Sequence, residues 1–303
     1  MGELAIEVKA PGEGEPDSLA IPFLEGGTGG AFSNGARELD GQLKGRLQRL
    51  ADSGELKGDL GTAVVLHTDG ELNARRVVVA GIGKRDELDA DALRTAASTV
   101  AHRVSDVGGT LAWLLDESLP LSLEEQARAI VEGTMLGSYN PARWKTQEEP
   151  EARVEKIVFY ATGEAGLAES ASRSASVGKW VNLARDLANS PPNELTPEVL
   201  GARAAELAGP KLQVEALDPA RIDELGMGAL SAVGRASSNG PRLIVLRYEP
   251  AEATRKDLVL GLVGKAITFD AGGISLKPAL KMQEHEGRHG RRRGRDRGHG
   301  RGS

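Results

Sequence analysis

Short runs of Val, Ile and Leu alternate with Ala/Glu/Leu-rich stretches along most of this 303-residue chain. Short apolar runs are typical of buried strands, and longer amphipathic stretches are typical of helices. Their alternation predicts α/β domains, in which helices cover a mostly parallel sheet. In the first half of the chain we predict strands at residues 63–67, 76–81, 109–115 and 155–160, and helices at 89–107 and 123–136.

The helix at 123–136 has a recognisable beginning. Ser122 precedes it as the predicted N-cap, and Glu125 stands three residues later, which is the capping-box pattern. With these elements, residues 1–163 are expected to form one complete α/β domain.

A second α/β domain is predicted after an Ala/Ser-rich linking helix at residues 164–190. Pro191 and Pro192 end this helix, because proline has no N–H donor and clashes with the preceding turn. Thr196 then caps a new helix with Pro197 in its first turn. The domain, residues 191–284, is expected to be incomplete, and its predicted elements are strands at 211–216, 242–248 and 258–263 and a helix at 219–225.

Composition excludes several classes of protein. The chain has no cysteine, so disulfides, Cys-ligated zinc and a thiol nucleophile are ruled out. Residues 281–303 hold eight basic and three acidic residues, whereas residues 1–280 hold 30 basic and 41 acidic ones. An acidic body argues against a broad nucleic-acid surface, which needs many Lys and Arg side chains. Without a leader pattern or a long uncharged apolar run, we expect a cytoplasmic protein with neither nucleic acid nor membrane as a partner.

The turn Gly81-Ile82-Gly83-Lys84 follows a predicted strand and invites comparison with a phosphate-binding loop. The Walker A pattern needs a Gly five residues before the Gly-Lys pair and a Ser or Thr after it, but Val78 and Arg85 occupy those places. We therefore predict a structural turn. His67 and His102 lack partners at metal-ligand spacing, and we expect them to be structural or surface residues.

A glycine-rich segment, residues 264–278, follows the predicted strand at 258–263 and carries two lysines and one aspartate. Open α/β sheets bind ligands just beyond the carboxyl ends of their strands. A Lys beside apolar walls or a metal dication tends to lose its proton and can act as a nitrogen ligand. A carboxylate can bridge two cations, and a charged Lys can polarise a substrate carbonyl. The spacing Lys-x4-Asp-x6-Lys by itself leaves a structural role open.

The whole segment resembles the metal-binding segment of the leucyl aminopeptidase (cytosol aminopeptidase) family. The resemblance covers about residues 130–284 well, and the N-terminal part only in general pattern. The motifs stand in the order that the family shows. Besides residues 264–278 they are Tyr139, Trp144-Lys145-Thr146, Asn182-Leu183-Ala184-Arg185-Asp186-Leu187, Ser190-Pro191-Pro192-Asn193-Glu194-Leu195-Thr196-Pro197, Met227-Gly228-Ala229-Leu230 and Pro241-Arg242-Leu243-Ile244-Val245-Leu246.

The resemblance implies a macro-like N-terminal α/β domain followed by an incomplete, zinc-exopeptidase-like α/β domain. It also implies a hexameric enzyme that removes N-terminal residues from peptides with two divalent metal ions, which are zinc, manganese or magnesium. By the match, Lys265 is a neutral ligand of one metal, Asp270 is a bridging ligand, and Lys277 is the electrophile facing the scissile carbonyl. Ala266 and Ala271 depart from the family pattern, which usually has Gly and Thr or Ser there.

The tail, residues 285–303, departs further. The family continues with Met-Lys-x-Asp-Met-Gly-Gly, whose Asp is a metal ligand, but Arg288 occupies that place. With suitable synonymous codons, a shift of one nucleotide converts His-Glu-Gly-Arg-His-Gly-Arg at 285–291 into Met-Lys-Gly-Asp-Met-Gly-Gly. We therefore expect a frameshifted, disordered tail in place of the rest of the catalytic domain, which resequencing the gene would test. The alternative is an Arg/Gly-rich tail that binds RNA.

Two function hypotheses follow from the sequence. The first is a two-metal aminopeptidase whose activity in this chain is very low, because most carboxylate ligands are missing. The second is a non-catalytic protein whose N-terminal domain folds alone and serves as a binding or assembly module. An uncovered apolar strand at 258–263 would favour aggregation or dependence on partner subunits.

Overall fold

The computed structural model describes residues 4–26, 32–141, 153–161, 166–253, 255, 257–272 and 274–276. The chain divides into two compact units, with the boundary between Ala184 and Arg185. No helix in the described ranges is long and apolar enough to cross a membrane.

A six-stranded sheet lies at the centre of the N-terminal unit. The strands stand in the order β1-β6-β5-β2-β4-β3, and all neighbours are parallel except the antiparallel pair β3–β4. The predictions at 63–67 and 76–81 are confirmed at both ends, and those at 109–115 and 155–160 to within one residue. The sequence patterns missed β1 and β2. The strand bounds are β1 Ala5–Lys9, β2 Ser18–Phe23, β3 Ala63–His67, β4 Arg76–Gly81, β5 Gly109–Leu114 and β6 Val154–Tyr160.

Helices cover both faces of this sheet. Helices α3 and α4 pack against each other on one face, and α1 and α2 bury Ala36 and Leu47 on the other. Strand β5 serves both cores, because successive side chains of a strand point to opposite faces: Trp113 faces α3 and α4, and Leu114 faces α1 and α2. The predicted helix at 123–136 is confirmed to within one residue, and the helix predicted at 89–107 is present but ends four residues earlier, at Arg103. The helix bounds are α1 Asn34–Gln42, α2 Arg46–Asp52, α3 Ala90–Arg103 and α4 Leu123–Gly137, with a 3-10 turn at Arg85–Glu87.

The capping box of α4 is present in the structure. The backbone N–H of Glu125 donates to Ser122 Oγ at 3.2 Å, and the N–H of Ser122 donates to Glu125 Oε2 at 3.0 Å. These bonds satisfy two donors that a helix N-terminus otherwise leaves unpaired. The bond from the Ser122 N–H, together with one that the Ser122 hydroxyl donates to the same carboxylate oxygen at 2.9 Å, holds the pKa of the Glu125 carboxyl below its ordinary value.

Helix α5 (Leu167–Asn189) packs onto α4 through small and polar side chains. Ser170 Oγ donates to the Glu124 carboxylate at 2.6 Å, and a Cβ at Gly178 would lie 2.9 Å from the Met135 Cβ. Such close packing explains the Ala/Ser-rich composition that predicted this helix, since larger side chains would force the two helices apart. The N-terminal unit therefore includes α5 as far as Ala184.

The C-terminal unit contains a two-stranded antiparallel sheet with helix α6 against it. Thr196 caps α6 through a bond from the Val199 N–H at 3.3 Å, and Pro197 stands in the first turn, as predicted. The predicted strands at 211–216 and 242–248 and the predicted helix at 219–225 are confirmed. The described elements are α6 Pro197–Ala205, β7 Leu212–Leu217, α7 Pro219–Glu224, α8 Gly228–Gly234 and β8 Leu243–Tyr248.

The prediction of a strand at residues 258–263 is wrong. This stretch has no regular secondary structure, and its apolar side chains are 64–101% exposed. A strand exists only when a neighbour accepts and donates its backbone hydrogen bonds. Within the described ranges, no hydrogen bond joins the backbone of residues 258–264 to another residue.

Candidate functional site

The glycine-rich segment predicted to bind metal lies in irregular backbone after β8, and the structure describes it up to Leu276. Lys265 is exposed and belongs to a local turn, in which the Ile267 N–H donates to the Lys265 carbonyl at 3.2 Å. Its ammonium group forms no ion pair with the other described residues. Among the described residues, the Lys265 side chain is therefore open to solvent.

Asp270 stands at a second turn of the same segment and is half-buried. The N–H of Gly272 donates to Asp270 Oδ1 at 2.8 Å. Gly272 has a φ of +96°, a left-handed conformation that glycine adopts without the steric cost of a Cβ. The glycine thus allows the chain to fold back so that its amide reaches the carboxylate. Lys277, the third predicted site residue, lies outside the described residues.

The described donors do not by themselves fit two divalent metal ions. Across the described ranges, no three His, Cys, Asp or Glu side chains lie close enough together to hold a metal. Lys265 and Asp270 supply one amine and one carboxylate, whereas a zinc ion alone takes about four ligands and magnesium about six. These two residues alone therefore support no catalytic step through a metal.

The family-like motifs that precede this segment in the chain lie in α5 and in the connection from α5 to α6. Asn182 is fully buried, and its Nδ2 donates to the Met135 carbonyl of α4 at 2.8 Å. After α5 ends, the N–H groups of Glu194 and Leu195 both donate to the Pro191 carbonyl at 2.9 Å. The sequence motif identified Asn182, but only the fold reveals its bond to a helix about 45 residues earlier in the chain.

The glycine turn after β4 is structural, as predicted. The N–H of Gly81 donates to the Thr62 carbonyl at 2.9 Å, that of Ile82 to Phe23 at 3.0 Å, and that of Gly83 to Gly58 at 2.9 Å. All three amides are therefore used inside the protein. A phosphate group would find none of them available.

Two family models match the chain. The model for the N-terminal domain of the cytosol aminopeptidase family matches residues 23–148, and the model for its catalytic domain matches residues 182–290. The matched regions follow each other in the order of an N-terminal domain and a catalytic domain. The chain belongs to the cytosol aminopeptidase family.

Curated relatives agree with this assignment. The chain is 36% identical over 289 residues to a probable cytosol aminopeptidase of Geobacter sp. (strain M21), covering 93% of this chain and 57% of the relative. It is 35% identical over 278 residues to the cytosol aminopeptidase of Pseudomonas aeruginosa (strain PAO1), covering 89% of this chain and 56% of the relative. The chain thus spans about half the length of the curated relatives it matches.

Solved structures show the same fold. The bottromycin maturation enzyme BotP in complex with Mn matches with a TM-score of 0.68 and 28% identity, over 88% of this chain and 51% of BotP. A mutant of tomato leucine aminopeptidase matches with a TM-score of 0.72 over 84% of this chain and 52% of the enzyme. At 23% identity, this match supports a shared fold and carries no argument about function.

Proposed function

We propose that this chain carries the N-terminal domain and part of the catalytic domain of a two-metal aminopeptidase that removes N-terminal residues from peptides. The match of the catalytic-domain model to residues 182–290 carries this proposal. This range includes all three predicted site residues, Lys265, Asp270 and Lys277. Relatives named cytosol aminopeptidases support a cytoplasmic location, and the resemblance implies a homo-oligomer, a hexamer in the family.

Lys265 and Asp270 are the residues proposed to bind the two metal ions, and Lys277 is proposed to polarise the scissile carbonyl. A zinc, manganese or magnesium ion in such a site supplies a Lewis acid and an activated water. The structure of BotP in complex with Mn, to which this chain is similar, supports the use of a divalent metal ion. The exposed amine of Lys265 and the half-buried carboxylate of Asp270 are chemically suited to this role.

We further propose that the chain has very low peptidase activity in its present form. Asp270 is the one carboxylate in the segment from Gly264 to Pro278, and Arg288 occupies the place where the family pattern has another Asp ligand. Two dications that share the single carboxylate of this segment would repel each other without compensation. Tight binding of two ions is therefore not expected.

The test is release of leucine from Leu-amide by the purified chain, with Mn²⁺, Zn²⁺ or Mg²⁺ added, beside calorimetric titration with each metal. The matched control is Asp270→Asn, which keeps the size of the side chain and removes its charge. We expect no activity above that of the control and no binding tighter than about millimolar for either protein. Metal-dependent turnover that Asp270→Asn abolishes would refute the proposed inactivity and support the assignment of Asp270. Turnover that is equal in both proteins would refute the role of Asp270.

A further inference from the structure

Two polar side chains of the N-terminal sheet have buried atoms that are not hydrogen-bonded within the described parts of the chain. They belong to Ser18, the first residue of β2, and Arg76, the first residue of β4. The Ser18 hydroxyl oxygen and the Arg76 Nε are both buried, and neither bonds to another described residue or to the other. Buried polar groups in proteins are almost always hydrogen-bonded, so each of these atoms needs a partner.

The register of the sheet places the two residues side by side. Strands β2 and β4 are parallel, and Leu19 pairs with Val77, so the same offset sets Ser18 beside Arg76. Neighbouring strands lie about 4.8 Å apart. A single small ligand can therefore contact both residues.

Both side chains lie on the face of the sheet that α3 and α4 cover. Ala20 and Val78, two residues further along each strand, belong to the core on that face, and side chains of alternate residues point the same way. On the other side of Arg76, strand β3 places His67 directly opposite. Neither cross-strand neighbour of Arg76, His67 or Ser18, is acidic.

The positive charge of Arg76 has no acidic partner within the described ranges. A guanidinium group stays protonated in proteins, and Arg76 forms no ion pair with another described residue. The carboxylate of Asp17, which precedes Ser18, accepts a bond from the Thr110 N–H at 2.9 Å and pairs with Arg75 at 3.8 Å. An anion therefore fits beside Arg76, whereas a cation would be repelled.

The donors at this place suit an anion with at least three oxygens. The Nε of a guanidinium and one of its terminal nitrogens form a fork that binds two oxygens of one anion. The Ser18 hydroxyl, on the neighbouring strand, can donate to a third oxygen. Phosphate and sulfate have that third oxygen, and a carboxylate does not. Arg76 as a whole is half-buried, so its guanidinium group can be reached from solvent.

We propose that Arg76 and Ser18 form a binding site for one tetrahedral oxyanion, phosphate or sulfate, at the amino end of β2 and β4. Both residues belong to the N-terminal unit. The site is independent of the peptidase proposal, since neither residue lies in the segment proposed to bind metal.

Calorimetric titration of the full chain with sodium phosphate, at constant ionic strength, tests this site. Arg76→Gln removes the fork, and the affinity for phosphate should fall at least about tenfold, because hydrogen bonds to charged groups are the strong ones. Ser18→Ala removes one neutral donor and should lower the affinity about threefold to tenfold. The matched control, Arg75→Gln, removes the same charge from the adjacent residue, whose side chain is 77% exposed, and should bind phosphate as the parent does.

A second substitution of Arg76 separates loss of the site from loss of folding. Arg76→Lys keeps the charge but lacks the planar fork, and the affinity should again fall about tenfold. Thermal melts followed by Trp113 fluorescence in phosphate-free buffer show whether each variant is folded. If Arg76→Gln does not fold, Arg76→Lys and Ser18→Ala decide the question.

The proposal requires phosphate binding that the Arg76 and Ser18 variants weaken and Arg75→Gln does not. It is wrong if the parent chain does not bind phosphate, or if Arg75→Gln loses as much affinity, since binding would then reflect general charge. Acetate binding as tight as phosphate binding would overturn the three-oxygen argument and the proposal with it. Glycerol phosphate distinguishes the sources of the ligand: binding equal to that of phosphate supports a site for the phosphate group of a larger molecule, and weaker binding supports a site for the free ion.

Discussion

Replacing Gly133 of α4 by alanine is expected to destabilise the N-terminal unit, although alanine favours helices. A Cβ at this position would overlap the Arg94 carbonyl oxygen of α3 and lie 2.8 Å from the Ala97 Cβ. Nonbonded carbon atoms need about 3.5–4.0 Å, so α3 and α4 would have to move apart by roughly 1 Å. The opposing oxygen belongs to the backbone and has no rotamer through which it could move away.

The magnitude follows from two opposing effects. Overfilling a packed interface costs about 1–3 kcal/mol, and we expect the upper end here because backbone opposes the new methyl group. The better helix propensity of alanine over glycine recovers about 1 kcal/mol. The net expectation for Gly133→Ala is a loss of about 2 kcal/mol in the free energy of unfolding.

Urea denaturation measures this difference, and Trp113 is a suitable probe because it is buried in the core that α3 and α4 cover. The matched control is Gly41→Ala in α1, where no atom lies within 4 Å of the added Cβ. The free energy of unfolding of this control should rise by up to about 1 kcal/mol, because alanine has the better helix propensity and the new methyl group meets no other atom. If Gly133→Ala proved as stable as the parent chain while Gly41→Ala gained stability, the close helix contact would not limit residue size.

Two further substitutions test individual bonds. Ser122→Ala should cost about 1 kcal/mol by removing the α4 cap. In the parent chain, the bonds to Ser122 depress the Glu125 pKa, so their stabilisation is complete above the ordinary carboxyl pKa and is lost as pH falls through the lowered value. Ser122→Ala keeps the backbone N–H, which is the larger cause of the lowered pKa, and loses only the bond from the hydroxyl. Acidification should therefore reduce the melting temperature of the parent somewhat more than that of Ser122→Ala, and equal pH profiles would contradict this. Asn182→Ala should cost about 1–3 kcal/mol, because it leaves the Met135 carbonyl without this donor, and faster hydrogen exchange at the α4–α5 contact would reveal it.

Sequence patterns predicted the strands at 63–67 and 76–81 well because each is a continuous apolar run bounded by turn residues. They missed β2, although it is central in the sheet. Pro22 lacks a backbone donor and normally argues against a central strand. Here the pairing with β5 covers only Ser18–Ala20, so Pro22 lies beyond its end.

The sequence named candidate site residues, but it did not give their arrangement in space. Lys265 and Asp270 were named as metal ligands from the resemblance of residues 264–278 to the family's metal-binding segment, and this assignment stays a prediction. The structure adds the turn at Gly272, whose N–H bonds the Asp270 carboxylate. A motif names candidate ligands, but their arrangement around an ion depends on the folded chain.

The sequence by itself determined the beginnings of helices, because a cap joins residues only three positions apart, as Ser122 and Glu125 do. The tertiary structure alone decided strand order, since β2 pairs with β5, which lies more than 90 residues later. It also decided that residues 258–263, a strand by composition, pair with no other strand among the described residues. Local hydrogen bonds and periodicity are encoded within a few residues, whereas strand pairing depends on which distant segments are present and free to bind.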